Sequence, residues 1–197
     1  MLFRSVAARG VLAGVLAARG NSAIVFHGGG LDELTTTGPS AVWVVADGAV
    51  TEAEFDPASL GVPRASVADL RGADAAHNSA VVRSVLAGEQ GPVRDIVLLN
   101  AAAALAAAEG LSSVTLASSA TAASAVPAAS ATADAFGKTL TDGLSRATEA
   151  IDSGAAQRLL ARWSETSHRL ATPRPRLFPG QASASPMEKV ASRSWRE

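Results

Sequence analysis

Apolar residues near the start of the chain recur at the spacing of one helix face. Val11, Val15 and Ala18 predict a helix over 7–18. Gly20 follows, as is common where a helix ends. The apolar run over 23–26 then predicts a short strand, of the kind that parallel sheets bury on both faces.

The next apolar segments predict a β-hairpin. After the first strand, the next apolar residues lie mainly in segments 42–45 and 49–55. They flank Asp47 and Gly48, a dipeptide typical of tight hairpin turns.

The second half of the chain has helical spacing throughout. The apolar positions predict helices over 74–87, 95–108, 140–151 and 155–170. The helix over 95–108 is apolar on nearly every side and rich in alanine, so we expect it to be buried and closely packed. Strands followed by helices predict the α/β class.

Two segments show no apolar spacing typical of a helix or a strand. Residues 112–132 form an alanine, serine and threonine tract, which we interpret as a low-complexity surface loop. Residues 172–197 contain four prolines and no apolar period, so we expect a disordered and dispensable tail. The sequence therefore predicts one α/β domain over 1–171, followed by that tail.

Composition excludes several kinds of function. The chain has 197 residues, a net charge of −1 and no cysteine, so disulfides, thiolate metal sites and cysteine nucleophiles are absent. The charge gives no basic surface for nucleic acid or for an anionic membrane. The longest apolar stretch, 96–108, is shorter than the roughly 20 residues that span a bilayer. We expect a cytoplasmic protein.

The segment after the first strand contains the best candidate site. His27 and three glycines lead into the adjacent carboxylates of Asp32 and Glu33. Ligands of α/β proteins gather where strands end and loops begin. Two carboxylates on such a loop can hold Mg²⁺, which takes further ligands from substrate phosphates and water.

Four segments of the chain stand out, and they are 25–39, 72–80, 85–102 and 150–163. The first contains the sequence Val-Phe-His-Gly-Gly-Gly-Leu-Asp-Glu-Leu. In this order, the four segments resemble one family, anthranilate phosphoribosyltransferase of tryptophan biosynthesis. The resemblance runs, with one gap, from about residue 11 to about residue 170.

The resemblance implies a fold and a reaction. The fold would be the C-terminal part of the large α/β domain of a nucleoside-phosphorylase-like phosphoribosyltransferase, without the N-terminal helical domain and part of the sheet. The full enzyme transfers phosphoribose from phosphoribosyl pyrophosphate to anthranilate and releases pyrophosphate. Asp32 and Glu33 would hold Mg²⁺ on that pyrophosphate. No catalytic residue is assigned, and we expect the substrate-binding residues in the missing half.

The same resemblance leads to expectations about the assembly, activity and stability of the chain. The family forms homodimers, an assembly that we do not extend to this chain. We expect the chain to be inactive and poorly stable alone, and its start at Met1 to be an artificial truncation. Two alternatives stay open: a related phosphoribosyltransferase or nucleoside phosphorylase, and a non-catalytic relative that binds nucleic acid.

Other polar residues have structural interpretations. We expect His27 to be packed with one nitrogen hydrogen-bonded, and His77 and His168 to lie at the surface. The hydroxyls of 35–37 either orient water near the carboxylates or form a turn rich in side-chain-to-backbone bonds, which we favour.

Three residues around the start of the helix over 95–108 have structural interpretations as well. Asp95 would cap this helix and Arg94 would pair with a carboxylate. Asn100, inside the helix, needs a hydrogen-bond partner.

Overall fold

The computed structural model describes residues 6–31, 33–111 and 128–171. The chain divides into two compact units, Met1–Leu160 and Ala161–Glu197. The elements of this α/β chain are α1 (Val6–Ala18), β1 (Ala23–Gly28), β2 (Ser40–Ala46), β3 (Ala49–Phe55), a 3₁₀ helix (Pro57–Leu60), α2 (Ala75–Leu86), α3 (Pro92–Glu109), α4 (Ala128–Asp152) and α5 (Ala155–Ala171). The predicted class is confirmed.

The three strands form an antiparallel sheet in the order β1-β2-β3. The parallel arrangement predicted for β1 is wrong, because β1 pairs with β2 in antiparallel register from Ala23 opposite Val45 to Gly28 opposite Ser40. Its apolar run has a different cause. Val25 packs on one face of the sheet and Phe26 on the other, so both faces are covered although the direction is antiparallel.

The hairpin between β2 and β3 has the predicted turn. Asp47 and Gly48 have φ values of 52° and 75°, as a two-residue turn of type I′ requires. The register that follows places Ala46 opposite Ala49 and Ser40 opposite Phe55. Between its two neighbours, β2 is buried at every position except Ala41, which is partly exposed.

One face of the sheet packs on α3 and α4. The buried residues between this face and the two helices are apolar, and the largest of them are Leu34, Val42, Val44, Phe55, Leu99, Leu111, Phe136 and Leu140. The rings of Phe55 and Phe136 meet edge to face at 5.1 Å between centroids. Helix α1 covers the other face, where Ala13 and Ala17 pack with Trp43 and Val45.

Helices α3 and α4 approach each other closely, as the alanines of α3 predict. A Cβ atom added at Gly143 would lie 2.7 Å from the backbone oxygen of Ala102 and 2.9 Å from its Cα. Ala102, Ala103 and Ala106 are buried at this crossing. Only small residues allow this separation, because any larger side chain would meet backbone atoms.

Two details of the helices differ from the sequence-based predictions. Helix α4 begins at Ala128, so residues 128–132 of the predicted surface loop are helical. Alanine favours the helix there, and the burial of Phe136 holds the following turn against the sheet. Residues 112–127 and the predicted tail lie outside the described residues.

The second difference concerns Asp95. Helix α3 begins at Pro92 after Gly91, and no side chain caps it. Asp95 is therefore in the first turn and is not the cap. Proline supplies the helical φ at this start and lacks the N–H that a cap would satisfy. Helix α2, by contrast, has the capping aspartate Asp74, whose carboxylate accepts from the His77 N–H at 2.8 Å.

Within the described ranges, no helix combines the length and the apolar character that crossing a bilayer requires.

Candidate functional site

The candidate site is the loop between β1 and β2, which the glycines shape. Gly29 and Gly30 have positive φ values of 51° and 89°, a conformation that glycine adopts without steric cost. The Leu31 N–H donates to the Gly28 carbonyl at 2.7 Å. A Cβ at Gly28 would lie 2.5 Å from Cγ2 of Thr35 and 2.7 Å from Oγ of Ser40, so the two ends of the loop are packed against each other.

The two predicted metal ligands lie on this loop. Asp32 lies outside the described residues. The side chain of Glu33 is exposed, whereas the next residue, Leu34, is completely buried. Among the described residues, Glu33 has no ion-pair partner. Its carboxylate is therefore available to a ligand from solvent.

Asn100 of α3 fixes the backbone beside Glu33. Its Oδ1 accepts from the Leu34 N–H at 3.1 Å, and its Nδ2 donates to the Leu34 carbonyl at 2.8 Å. The same Nδ2 donates to the Ile96 carbonyl at 2.9 Å. The prediction that Asn100 needs a partner is confirmed, and that partner is the acidic loop.

The threonines complete the loop. The Oγ1 of Thr35 accepts from the Thr37 N–H at 3.0 Å and contacts the Thr37 hydroxyl at 2.9 Å. The Thr35 N–H donates to Oγ of Ser40 at 3.3 Å. Thr36 is buried, and its carbonyl accepts from the Ala65 N–H at 3.2 Å. These bonds confirm the predicted turn, since the hydroxyl of Thr35 acts on its own loop.

The histidines differ from one another. His77 and His168 are exposed, as predicted. Among the described residues, Nδ1 of His27 is buried without a hydrogen-bond partner. The prediction that one ring nitrogen is hydrogen-bonded therefore stays a prediction for Nε2. His27 shares a strand face with Val25, which packs among apolar residues against α1, and this apolar setting is consistent with the unpartnered Nδ1.

Arg94 has the ion pair that the sequence predicts. Its Nη2 lies 2.8 Å from Oδ1 of Asp152, and its Nη1 donates to the Gly88 carbonyl at 2.9 Å. The Arg94 side chain is 3% exposed. Burial raises the pKa of the neighbouring Asp95, and the Arg94 charge opposes this effect. These contacts join α3 to α4 and are structural.

The described residues contain no cluster of three or more metal-ligating side chains. Mg²⁺ does not need one, because it binds protein through one or two carboxylates and takes its other ligands from phosphates and water. An exposed carboxylate beside a firmly held backbone has the chemistry for that role. Glu33 provides this combination.

Comparison with known proteins identifies the family. Residues 5–157 match the model of the glycosyl transferase family, a/b domain. The chain belongs to this family. The predicted transferase class is thereby confirmed at the level of the family.

Relatives within the family are identical to the chain at about half of the aligned positions. It is 52% identical over 163 residues to the anthranilate phosphoribosyltransferase of Rhodococcus jostii, a match that covers 82% of the chain and 40% of that relative. It is 50% identical over 159 residues to the one of Salinispora arenicola, with 80% and 39% covered. The chain therefore spans about two fifths of the length of these glycosyl transferase family members.

A solved structure gives the same result for the fold. The anthranilate phosphoribosyltransferase of Thermus thermophilus matches with a TM-score of 0.56 and 29% identity, over 81% of this chain and 40% of that structure. The predicted resemblance and the predicted fold are confirmed over this part of the family's structure.

Sequence reasoning located the acidic loop but missed its anchor. Asn100 was recognisable as a polar residue in an apolar helix, which indicates a buried hydrogen bond. Its partner is 66 positions away in sequence, and no local pattern connects the two. The close packing at Gly28 also depends on side chains of the returning strand.

Proposed function

We propose that this chain is the part of an anthranilate phosphoribosyltransferase that presents a Mg²⁺-binding loop to phosphoribosyl pyrophosphate. The observation that carries the proposal is the exposed carboxylate of Glu33 on a loop with buried, hydrogen-bonded flanks. The names of relatives that are 50% and 52% identical support the choice of acceptor, anthranilate.

In the proposed reaction, the amino group of anthranilate attacks the sugar carbon as pyrophosphate leaves. Asp32 and Glu33 would hold Mg²⁺, which would neutralise charge that develops on the leaving pyrophosphate. Asn100 and the Thr35 turn keep the loop in place, so that little reorganisation is needed when the substrate binds.

The chain supplies positioning and electrostatic stabilisation rather than a nucleophile. Catalysis of this kind depends on holding two reactants in line and on stabilising charge in the transition state. The phosphate and anthranilate contacts then come from the part of the enzyme that this chain does not span. We accordingly propose that the chain has little activity alone.

The test is an assay of anthranilate consumption with phosphoribosyl pyrophosphate and MgCl₂. The purified chain is assayed alone and after co-expression with the part of the Rhodococcus jostii relative that it does not span. We expect turnover only in the co-expressed sample. A sample of that added part alone is the control for turnover without the chain.

Robust turnover by the chain alone would show that its substrate site lies elsewhere. Consumption of another acceptor in place of anthranilate would favour a related phosphoribosyltransferase. Retention on heparin at low salt, without turnover, would favour the nucleic-acid-binding alternative.

A further inference from the structure

The amide of Asn100 binds both backbone polar groups of a single loop residue. It accepts from the Leu34 N–H at 3.1 Å and donates to the Leu34 carbonyl at 2.8 Å. We propose that Asn100 is a positioning residue for the cation site, because it sets the backbone from which the Glu33 carboxylate projects. This inference rests on the proposed function.

The geometry restricts the loop strongly. Pairing of both the N–H and the C=O of Leu34 fixes the orientation of the two peptide groups that flank this residue. One of them is the peptide bond between Glu33 and Leu34. The third bond, from Nδ2 to the Ile96 carbonyl at 2.9 Å, fixes which side of the amide is donor and which is acceptor.

The support beneath Asn100 is rigid. Its neighbours Leu99 and Ala102 on α3 are completely buried in the core between the sheet and α4. A side chain on such a helix is held more precisely than one on a loop. The loop itself has two glycines with positive φ, Gly29 and Gly30, before Glu33. Because glycine is conformationally permissive, we expect the backbone there to depend on contacts with other elements, such as those of Asn100.

Groups that orient metal ligands have measurable effects on affinity. Loss of such a supporting contact costs roughly 10- to 100-fold in metal affinity. Asn100 acts through the backbone rather than through the carboxylate itself, so we expect the lower end of this range.

A second asparagine provides a matched control. Oδ1 of Asn78 accepts from the Ala73 N–H at 2.9 Å, and its Nδ2 donates to the Ala73 carbonyl at 3.0 Å. This pair has the same chemistry, but it is exposed and lies at the start of α2. Substitution of Asn78 therefore removes an equivalent clamp that has no connection to the acidic loop.

The experiment titrates the ¹⁵N-labelled full chain with MnCl₂ as a paramagnetic substitute for Mg²⁺. Broadening of the amide signals of Glu33 and Leu34 reports cation binding. We expect Asn100→Ala to require about tenfold more Mn²⁺ for half-maximal broadening, and Asn78→Ala to leave the midpoint unchanged. Alanine continues the alanine run of α3, so the helix is preserved.

A purely structural role predicts a different result. It would lower the melting temperature and speed hydrogen exchange at Leu34, but it would leave the Mn²⁺ midpoint where it was. That outcome overturns the inference and leaves the proposed function intact. If the unmodified chain shows no broadening at the loop, the cation role fails, and this inference fails with it.

A conservative variant keeps the test decisive if Asn100→Ala does not fold. Asn100→Gln retains the amide and displaces it by one methylene. We expect it to fold and to shift the Mn²⁺ midpoint in the same direction by a smaller factor. A midpoint equal to that of the unmodified chain would contradict the inference.

Discussion

The two faces of the sheet are covered to very different depths. On one face, two helices, α3 and α4, enclose a core in which Phe55, Leu99 and Phe136 are nearly or completely buried. On the other face, α1 is the one helix of the described residues that covers Trp43 and Val45. The outward side of α1 leaves Val11 70% exposed and Val15 50% exposed.

The acidic loop is attached to the deeper face. Leu34 packs in the core between the sheet and α3, and Asn100 of α3 binds its backbone. The residue that precedes Leu34 carries the exposed carboxylate. The candidate cation site is therefore supported by the best-packed part of the described residues, and we expect the α1 side to tolerate more change.

The largest effect should come from the ring at the centre of the deeper face. Phe136→Ala removes a fully buried side chain and its edge contact with Phe55. We expect a loss of about 4 kcal/mol in the free energy of unfolding, measured by urea denaturation. The control Val15→Ala on α1 should change it by less than about 0.5 kcal/mol. Equal losses would show that the faces do not differ as described.

A second pair of substitutions tests the helix crossing. Gly143→Val forces a side chain against the backbone of Ala102, and we expect it to destabilise the chain by about 3 kcal/mol. In the described part of the chain, no atom outside the backbone of α1 itself lies within 4 Å of a Cβ added at Gly14. Gly14→Ala should therefore stabilise the chain by roughly 0.5–1 kcal/mol through helix propensity. A stable Gly143→Val variant would contradict the close approach of α3 and α4.

The ion pair at the end of the deeper face should have a smaller effect. Asp152→Asn leaves the buried Arg94 guanidinium with the Gly88 carbonyl as its hydrogen-bond partner. Because Asp152 is half exposed, we expect a loss of about 1–2 kcal/mol rather than the full cost of breaking a buried pair. The exposed pair of Arg146 and Glu109 is the control, and Glu109→Gln should cost less than about 0.5 kcal/mol. Similar losses for both variants would remove the distinction between the pairs.

The smallest effect concerns pH. Burial raises the pKa of Asp95 above its ordinary value of 3.8, so the folded chain binds this proton more tightly than the unfolded chain does. This tighter proton binding stabilises the folded chain below pH 3.8, and the stabilisation is lost as the pH rises through the pKa of Asp95 in the folded chain. The Asp95→Asn variant has no carboxyl group to titrate at this position, so it does not lose stability in this way. Relative to the unmodified chain, the variant should therefore gain stability between about pH 3 and about pH 6, as urea midpoints at both pH values will show. A constant difference would contradict the raised pKa.

The elements of the fold were predictable from local patterns. The hairpin at Asp47 and the helix start at Asp74 depend on residues within a few positions of each other, and the structure has both. The direction of β1 was not predictable, because apolar residues on both faces occur in parallel and antiparallel strands alike. The start of α4 at Ala128 was missed because an alanine and serine tract has no apolar period until Phe136 docks.

The candidate site was also predictable only in part. Asp32 and Glu33 stand in a recognisable motif, so the loop could be found from sequence. The support for the loop depends on contacts between distant segments, such as Asn100 with Leu34 and Gly28 with Thr35. Such contacts are set by the packing of helix on sheet, which no local pattern encodes.

The most direct test of the proposed function is the Mg²⁺ dependence of turnover in the chain co-expressed with the part it does not span. The double variant Asp32→Asn with Glu33→Gln is compared with Glu52→Gln with Glu54→Gln, which neutralises two exposed carboxylates of β3. The proposal predicts that the first variant loses most Mg²⁺-dependent turnover, because the cation loses both protein ligands. The second variant should match the unmodified chain. An unchanged Mg²⁺ midpoint and rate in the first variant would contradict the proposed role of the acidic loop.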